Sequence, residues 1–462
     1  MTRTTAGPAH GGRTPAGDTA PWMTLLFVSV GYAMVIVDTT AINVAVPAIG
    51  ADLGGGVSQM QWVVDGYVLT FAGLLILGGS LGDTFGAARV FRLGVMVFTA
   101  ASVGCAVAPT ISLLISGRIV QGIGAAMLAP ACLALIATAY PDAVRRGRAI
   151  AIFVTAAGSP QAFGPVLGGA VVESLGWRAI FWINVPLAII ALAVSAARRR
   201  TPPPVAPPGP IAWTGHIAIC VALFSMTTII IEAPRAGLSS VLVVVSTVSL
   251  VVAGVIVVRH QRRHRSPALS RVVLRSRAAI GFVAVGLLLF AGYYGLTFVT
   301  TIELQRRVGL STTDTGLTFL ASALPIFLLP MLSRPVVDRL GSRRTLTIGM
   351  AAGTAGALVL AFGAVDDPYL RLSALALLGT GVGLSVGPQI DEVLNAVPTS
   401  VAAQAGALLN AGRQLGTVVG IAVLGAVYAA PGGTVAACIV AASILSLGTV
   451  VAALIYPKRP EM

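Results

Sequence analysis

Charge is what this sequence has least of: Asp, Glu, Lys and Arg make up 10% of 462 residues, against about 25% in an ordinary soluble domain. Only one lysine occurs, Lys458, so nearly every basic group is an arginine. Cysteine is scarce as well. Cys105, Cys132, Cys220 and Cys438 stand in apolar surroundings without CxxC spacing, which excludes a disulfide framework or a cysteine-based zinc site and leaves them as small packing residues. His10, His216, His260 and His264 form no ligand cluster, so no metal and no cofactor is implied. A GxxxxGK[ST] phosphate loop is missing, which argues against direct use of ATP.

In place of charge there is hydrocarbon. Hydrophobic residues reach 56% and the mean hydropathy is +0.91, more apolar surface than a soluble fold can bury. The apolar residues come in runs long enough to cross about 30 Å of lipid as helix, bounded by Arg, Pro, Gly or Asp. They lack the short alternating pattern of a membrane β-barrel. The net charge of +14 and the high isoelectric point do not indicate nucleic-acid binding, because the basic residues lie between the runs rather than on one face of a soluble domain. The abundance of Arg, Ala, Gly and Val points to a GC-rich, bacterial genome.

The runs predict helices over 22–48, 60–81, 90–108, 111–138, 148–172, 177–197, 211–231, 239–258, 278–302, 314–335, 345–364, 370–391, 403–428 and 434–456, an all-α membrane protein of fourteen spans. Residues 1–21 read as a disordered tail and 457–462 as a short one. The first run is too long for a signal peptide and is taken as a retained span. With the amino terminus in the cytoplasm, 22 Lys and Arg fall on that side and 5 on the other, while Arg118, Arg334 and Arg413 lie in or at the ends of spans. So strong a bias supports cytoplasmic termini and an even number of crossings.

A repeat divides the chain. GGSLGDTFGAAR, with Gly79, Asp83, Gly86 and Arg89, recurs as SRPVVDRLGSRR, with Asp338, Gly341 and Arg344 at the same spacing, 255 residues later. The same offset carries Trp22 to Arg277, where the ninth run begins. The organisation read from this is a six-helix bundle over 22–200, two inserted spans with flanking loops over 201–277, and a second six-helix bundle over 278–456. Internal symmetry of this kind marks transporters whose halves rock about a site near the bilayer midplane. The Pro-rich stretch before the inserted pair reads as a stiff connector, and the Arg-rich stretch after it as a loop on anionic headgroups.

Charges inside spans need an explanation, since each costs about 2.5–3.5 kcal/mol at mid-bilayer on insertion scales. Asp38 lies sixteen residues beyond Trp22, about 24 Å along a helix. A carboxylate shielded from water there can exchange a proton for cargo; alternatively it is structural, bonded to Thr39, Thr40 or Asn43. Asp65, about a turn into the second span, is either a coupling group or one that snorkels to water. Arg118 in the fourth span offers a countercharge to Asp38 or Asp65, or fixed glue to backbone carbonyls. Arg413 offers the same ambiguity in the second half. Glu303 is read as an exposed rim residue or a second acidic site, and Asp391 and Glu392 as solvated. Tyr32, Trp62, Tyr67, Phe163, Tyr293 and Tyr294 could line an aromatic pocket or anchor the interfaces.

From Trp22 to the last span the chain resembles the major facilitator superfamily. GSLGDTFGAAR is similar to its loop 2–3 signature, with Thr84, Ala87 and Ala88 where basic residues are common. LLISGRIVQGIGAA, with Arg118 and Gln121, resembles its fourth-span motif, whose arginine is implicated in proton coupling. AFGPVLGG, with Gly164, Pro165, Gly168 and Gly169, resembles the fifth-span antiporter motif of exporters, although Pro160 replaces a usual Gly. VDTTAINVAVP, QWVVDGY, GWRAIFWINVP and LLNAGRQLGTVVG resemble stretches of the fourteen-span drug:proton antiporters. The resemblance implies a monomeric, cell-membrane efflux antiporter that exchanges protons for small organic molecules. Asp38, Asp65 and Arg118 would couple protons; Gly79, Asp83, Gly86, Arg89, Asp338, Gly341 and Arg344 would gate; Tyr32, Gln121, Phe163, Glu303 and Arg413 would face substrate. Proton-coupled uptake of a metabolite, and a non-transporting sensor on the same scaffold, remain as alternatives. No nucleophile, base and oxyanion set argues for an enzyme.

Overall fold

The structure is a computed structural model that describes residues 21–197, 213–263, 271–398, 401–430 and 433–455. The tails, the Pro-rich connector and most of the Arg-rich loop expected from the sequence lie outside the described residues. Among the described residues every regular element is helical. The first group is α1 (Pro21–Leu53), α2 (Val57–Phe85), α3 (Ala87–Ala106), α4 (Ile111–Ala139), α5 (Ala143–Leu175), α6 (Arg178–Trp182) and α7 (Asn184–Ala197). Then come α8 (Trp213–Ala236), α9 (Val241–Arg263) and the short α10 (Arg271–Arg275). The last group is α11 (Arg277–Arg306), α12 (Thr312–Val359), α13 (Pro368–Asn395), α14 (Ala402–Ala429) and α15 (Gly433–Ile455).

Twelve helical segments among the described residues are long and apolar enough to cross a membrane; α6 and α7 together form one, and α12 holds two. The helices α2 and α5, at 29 and 33 residues, are not among these twelve. The long run of α12 is interrupted at Gly341, with φ 78° and ψ 154°. Gly86, between α2 and α3, has φ 90° and ψ 129°. The two glycines stand 255 residues apart, so the sequence repeat is also a repeat of backbone shape. An L side chain at φ near +80° meets its own carbonyl, which is why both chain reversals use glycine.

Within the first group α2 and α3 pack on α4, and α1 on α4, α5 and α7; in the last group α12 packs on α13, and α11 on α14 and α15. Small residues allow this closeness, as lipid offers little hydrophobic drive for helices to associate. At Gly122 of α4, for example, a Cβ would stand 2.5 Å from the Tyr67 carbonyl of α2. α8 lies against α2 and α14, with Ser58 donating to the Glu232 carboxylate at 2.8 Å. α9 covers α8 and turns Val241, Val245, Val248 and Val252 outward.

Hydrogen bonds joining the first group to the last cluster at one end, where α1 finishes and α2 starts. Gln61 donates to the carbonyls of Ile421 and Ala422 at 2.9 and 3.0 Å, and Gln305 to that of Val44 at 2.9 Å. Thr312 donates to the Gly169 carbonyl at 3.1 Å, and the Thr313 amide to the Glu173 carboxylate at 3.1 Å.

Candidate functional site

Asp38 is fully buried, and its partners come from two other helices, α4 and α7. Arg118 of α4 forms an ion pair with Oδ2; Gln121, one turn further on, donates to Oδ1 at 2.8 Å, and Asn184 at the start of α7 donates to Oδ1 at 3.2 Å. Ser102 of α3 accepts from both amides, at 2.9 Å from Gln121 and 3.2 Å from Asn184. Arg118 is spread over further acceptors. Its Nε donates to the Val63 carbonyl at 3.0 Å, its Nη1 also to Gln121 Oε1 at 2.7 Å, and the guanidinium lies 4.4 Å from the centre of the Tyr67 ring.

This arrangement explains how two charges persist where a lone one is expensive. An ion pair shut away from water survives only when its remaining valences are also largely satisfied; the amides of Gln121 and Asn184 do this for Asp38, while Nη2 of Arg118 has no hydrogen-bond partner among the described residues. Asp38 stands in the middle of α1, and five helices meet at its network. Moving one proton onto the carboxylate would leave Arg118 with neutral partners only.

Thr39, Thr40 and Asn43 do not hold Asp38. Each instead bonds a carbonyl one turn back in its own helix, at 2.7, 2.8 and 3.2 Å. The countercharge of Arg118 is Asp38 rather than Asp65. Asp65 does not reach water: it is fully buried, and among the described residues both its carboxylate oxygens lack a hydrogen-bond partner. The stretch of α2 that carries it is sandwiched between α4, α8 and α14, so the helix end that looked wet in sequence is covered by protein.

The glycines of the AFGPVLGG stretch sit where α5 meets its neighbours. A Cβ at Gly164 would overlap Thr40 Oγ1, and one at Gly168 would stand 2.7 Å from Ala41 Cα, so α5 rides directly on α1. A Cβ at Gly169 would overlap the Thr312 carbonyl, and the Pro165 carbonyl lies against Gly316; the same helix therefore also meets the start of α12. Glu173 finishes this seam by accepting from the first turn of α12. The Thr313 hydroxyl and amide hold its carboxyl below the usual range. Nearby, Arg178 donates to Asp52 at 2.6 Å and keeps that carboxyl low as well.

The remaining candidates are dispersed. Gln121 belongs to the Asp38 network, whereas Tyr32 packs on Phe153 at 5.2 Å between ring centres. Phe163 is exposed. Glu303 is not at an open rim: it is 4% exposed, ion-paired with Arg307, and accepts from Tyr428 at 3.0 Å. Arg413 is buried against Gln389, to which its Nε donates at 2.9 Å, and Gln389 is anchored on the Phe282 carbonyl at 3.0 Å. Of the loop residues, Arg89, Asp338 and Arg344 are exposed, as is Asp391, while Glu392 is half-buried. The Asp83 side chain lies outside the described residues. Gly79 faces Pro130 of α4, where a Cβ would be in ordinary contact at 3.8 Å. Ser102 and Asn184 are the network members that sequence reasoning missed; the one signal for Asn184 was an amide two residues before a proline in an apolar run.

Comparison with known proteins places this geometry. The profile of the Major Facilitator Superfamily matches residues 28–421. The chain is 33% identical over 435 residues to the puromycin resistance protein pur8 of Streptomyces alboniger, covering 91% of this chain and 84% of that one. It is 32% identical over 405 residues to the methylenomycin A resistance protein of Bacillus subtilis, covering 87% and 86%. To the multidrug resistance protein Stp of Mycobacterium tuberculosis it is 31% identical over 418 residues, covering 88% and 76%. A crystal structure of a peptide transporter POT in complex with sulfate superposes with a TM-score of 0.71 at 17% identity, over 94% of this chain and 93% of that one, a likeness of fold. With a family profile spanning most of its length and relatives above 30% identity, the chain belongs to the Major Facilitator Superfamily.

Proposed function

We propose that the protein is a proton-driven exporter of antibiotics and other small organic molecules, working by alternating access in the cell membrane. The observation that carries this reading is the fully buried Asp38–Arg118 pair, held by donors from separate helices in the middle of a span. Protonation removes the negative partner and leaves the guanidinium with Gln121, the Val63 carbonyl and the Tyr67 ring. The helices held through Asp38 are then less tightly tied, and the balance between two packings shifts. Relatives with resistance in their names support the cargo class, and export is the direction that fits resistance.

The helices α2 and α5 are read as two further crossings, since 29 and 33 residues are ample for a bilayer. That makes fourteen spans: bundles over 22–200 and 278–456, and an inserted pair within 201–277. The positive bias puts both termini in the cytoplasm. The end joined by Gln61, Gln305, Thr312 and Glu173 then faces outward, and this conformation is sealed there. Gly86 and Gly341, at equivalent turns, mark the cytoplasmic loops on which the two bundles tilt. The working unit is read as a monomer.

Expression in an efflux-deficient bacterial host tests this. The wild-type chain should lower susceptibility to several antibiotics of a panel, and inside-out vesicles should accumulate the same compounds when their lumen is acidified. Asp38→Asn should abolish accumulation. A wild-type chain that protects against nothing, or that accumulates compounds only in right-side-out vesicles, would sink the exporter reading.

A further inference from the structure

Asn184 opens α7 directly after the turn at Ile183 that separates it from α6, and its side chain is fully buried. Its Nδ2 donates to Asp38 Oδ1 and to Ser102 Oγ, both at 3.2 Å, whereas its own Oδ1 has no hydrogen-bond partner among the described residues. Around Asp38 every polar group is a donor as drawn: Arg118 to Oδ2, Gln121 and Asn184 to Oδ1. Ser102 gives its hydroxyl proton to the Phe98 carbonyl at 2.8 Å, and Gln121 Oε1 is already occupied by Arg118. A carboxylate suits such a ring of donors. A carboxylic acid does not, because its O–H then needs an acceptor in a fully buried place.

The free Asn184 Oδ1 answers that need. A half-turn of the amide about its terminal bond exchanges Nδ2 and Oδ1 and presents an acceptor to Asp38. We propose that Asn184 is the positioning residue of the proton site: its amide donates to the Asp38 carboxylate and, turned over, accepts from the Asp38 acid, so that both protonation states are held in one place. The step adds one proton, from water, to one carboxylate oxygen, and the amide changes orientation only. In the turned state Ser102 can swing its hydroxyl from the Phe98 carbonyl to the incoming Oδ1.

The titratable groups facing Asp38 are Arg118 from α4, Tyr67 from α2 and Cys105 from α3. α7 contributes the Asn184 amide, and α5 and α11 carry their charged residues near their ends. No second carboxylate among the described residues adjoins Asp38 to take over the role.

This inference rests on Asp38 being the proton site, so the test separates the two. Purified full-length protein in proteoliposomes is assayed for proton-driven transport across a range of pH, and for gradient-free counterflow as a measure of intact folding and substrate binding. Asn184→Asp places two acids beside one proton, and the pH of half-maximal transport should rise by about one unit or more. Asn184→Leu offers neither donor nor acceptor; proton-driven transport should fall about tenfold or more, with counterflow and substrate KM kept. Wild-type pH profiles in both variants, with Asp38→Asn inactive, would overturn the role of Asn184 alone. Loss of counterflow in both would make Asn184 a structural strut and overturn it too. Proton-driven transport that survives in Asp38→Asn would instead overturn the proton site itself.

Discussion

Replacing Asp38 with Asn tests the energetic reasoning most sharply. The side chain keeps its size but loses its charge, and one of its two oxygens becomes an NH2 group. If the remaining oxygen faces Gln121 and Asn184, the new NH2 faces the Arg118 guanidinium, donor against donor. Turned the other way, it faces the two amide donors. Either orientation leaves Arg118 as a buried cation without an anion, and no other acid among the described residues forms an ion pair with it. Breaking one side of a buried pair costs about 3–5 kcal/mol. Removing both sides, as Asp38→Asn with Arg118→Met, should recover most of that loss, since a buried pair often contributes little relative to apolar packing of the same volume. Transport should stay absent in the double variant. SDS unfolding in mixed micelles reads the free energies, and vesicle accumulation reads the transport. A single variant within about 1 kcal/mol of wild type, the range of a surface pair, would refute the claim that this pair is buried and coupled.

Gly168→Val pushes a side chain into the Ala41 backbone, 2.7 Å from where its Cβ must stand. It should destabilise the protein by about 1–3 kcal/mol and block transport in the same vesicle assay. Asp65→Asn removes a buried, unpartnered carboxylate and should leave SDS-unfolding stability unchanged or raised, whereas Asp65→Lys should lower expression of folded protein. Glu173 carries a pH dependence. Thr313 holds its carboxyl below the ordinary range, so the α5–α12 contact is at full strength above about 4.3, the unfolded value, and weakens as pH falls through the depressed one. Spin labels at Leu175 and Leu317 should therefore separate at strongly acid pH, and should already be apart at neutral pH in Glu173→Ala.

Much of the fold was legible because lipid simplifies the reading: a run of apolar residues must be helix there. The repeat about Gly86 and Gly341 was legible for a similar reason, since a positive φ leaves few choices of residue. Asp38 and Arg118 stood out as charges in hydrocarbon. Their pairing did not, because α4 touches both α1 and α2, and Asp65 was an equal candidate until the ion pair with Asp38 showed which carboxylate the guanidinium meets. Neutral polar residues hide better. Ser102 satisfies its own helix, as most membrane serines do, and Asn184 resembles any residue at a helix start. Glu303 was misread as an open rim group because Arg307 and Tyr428, which cover it, come from one turn further on and from α14.

Purified protein in sealed liposomes, given an acid interior and a labelled antibiotic outside, tests the central claim most directly. Molecules inserted with their cytoplasmic face outward should concentrate the compound inside, alkalinise the lumen as they do so, and stop on collapse of the gradient. Uptake indifferent to the gradient, or equal in Asp38→Asn, would contradict the account.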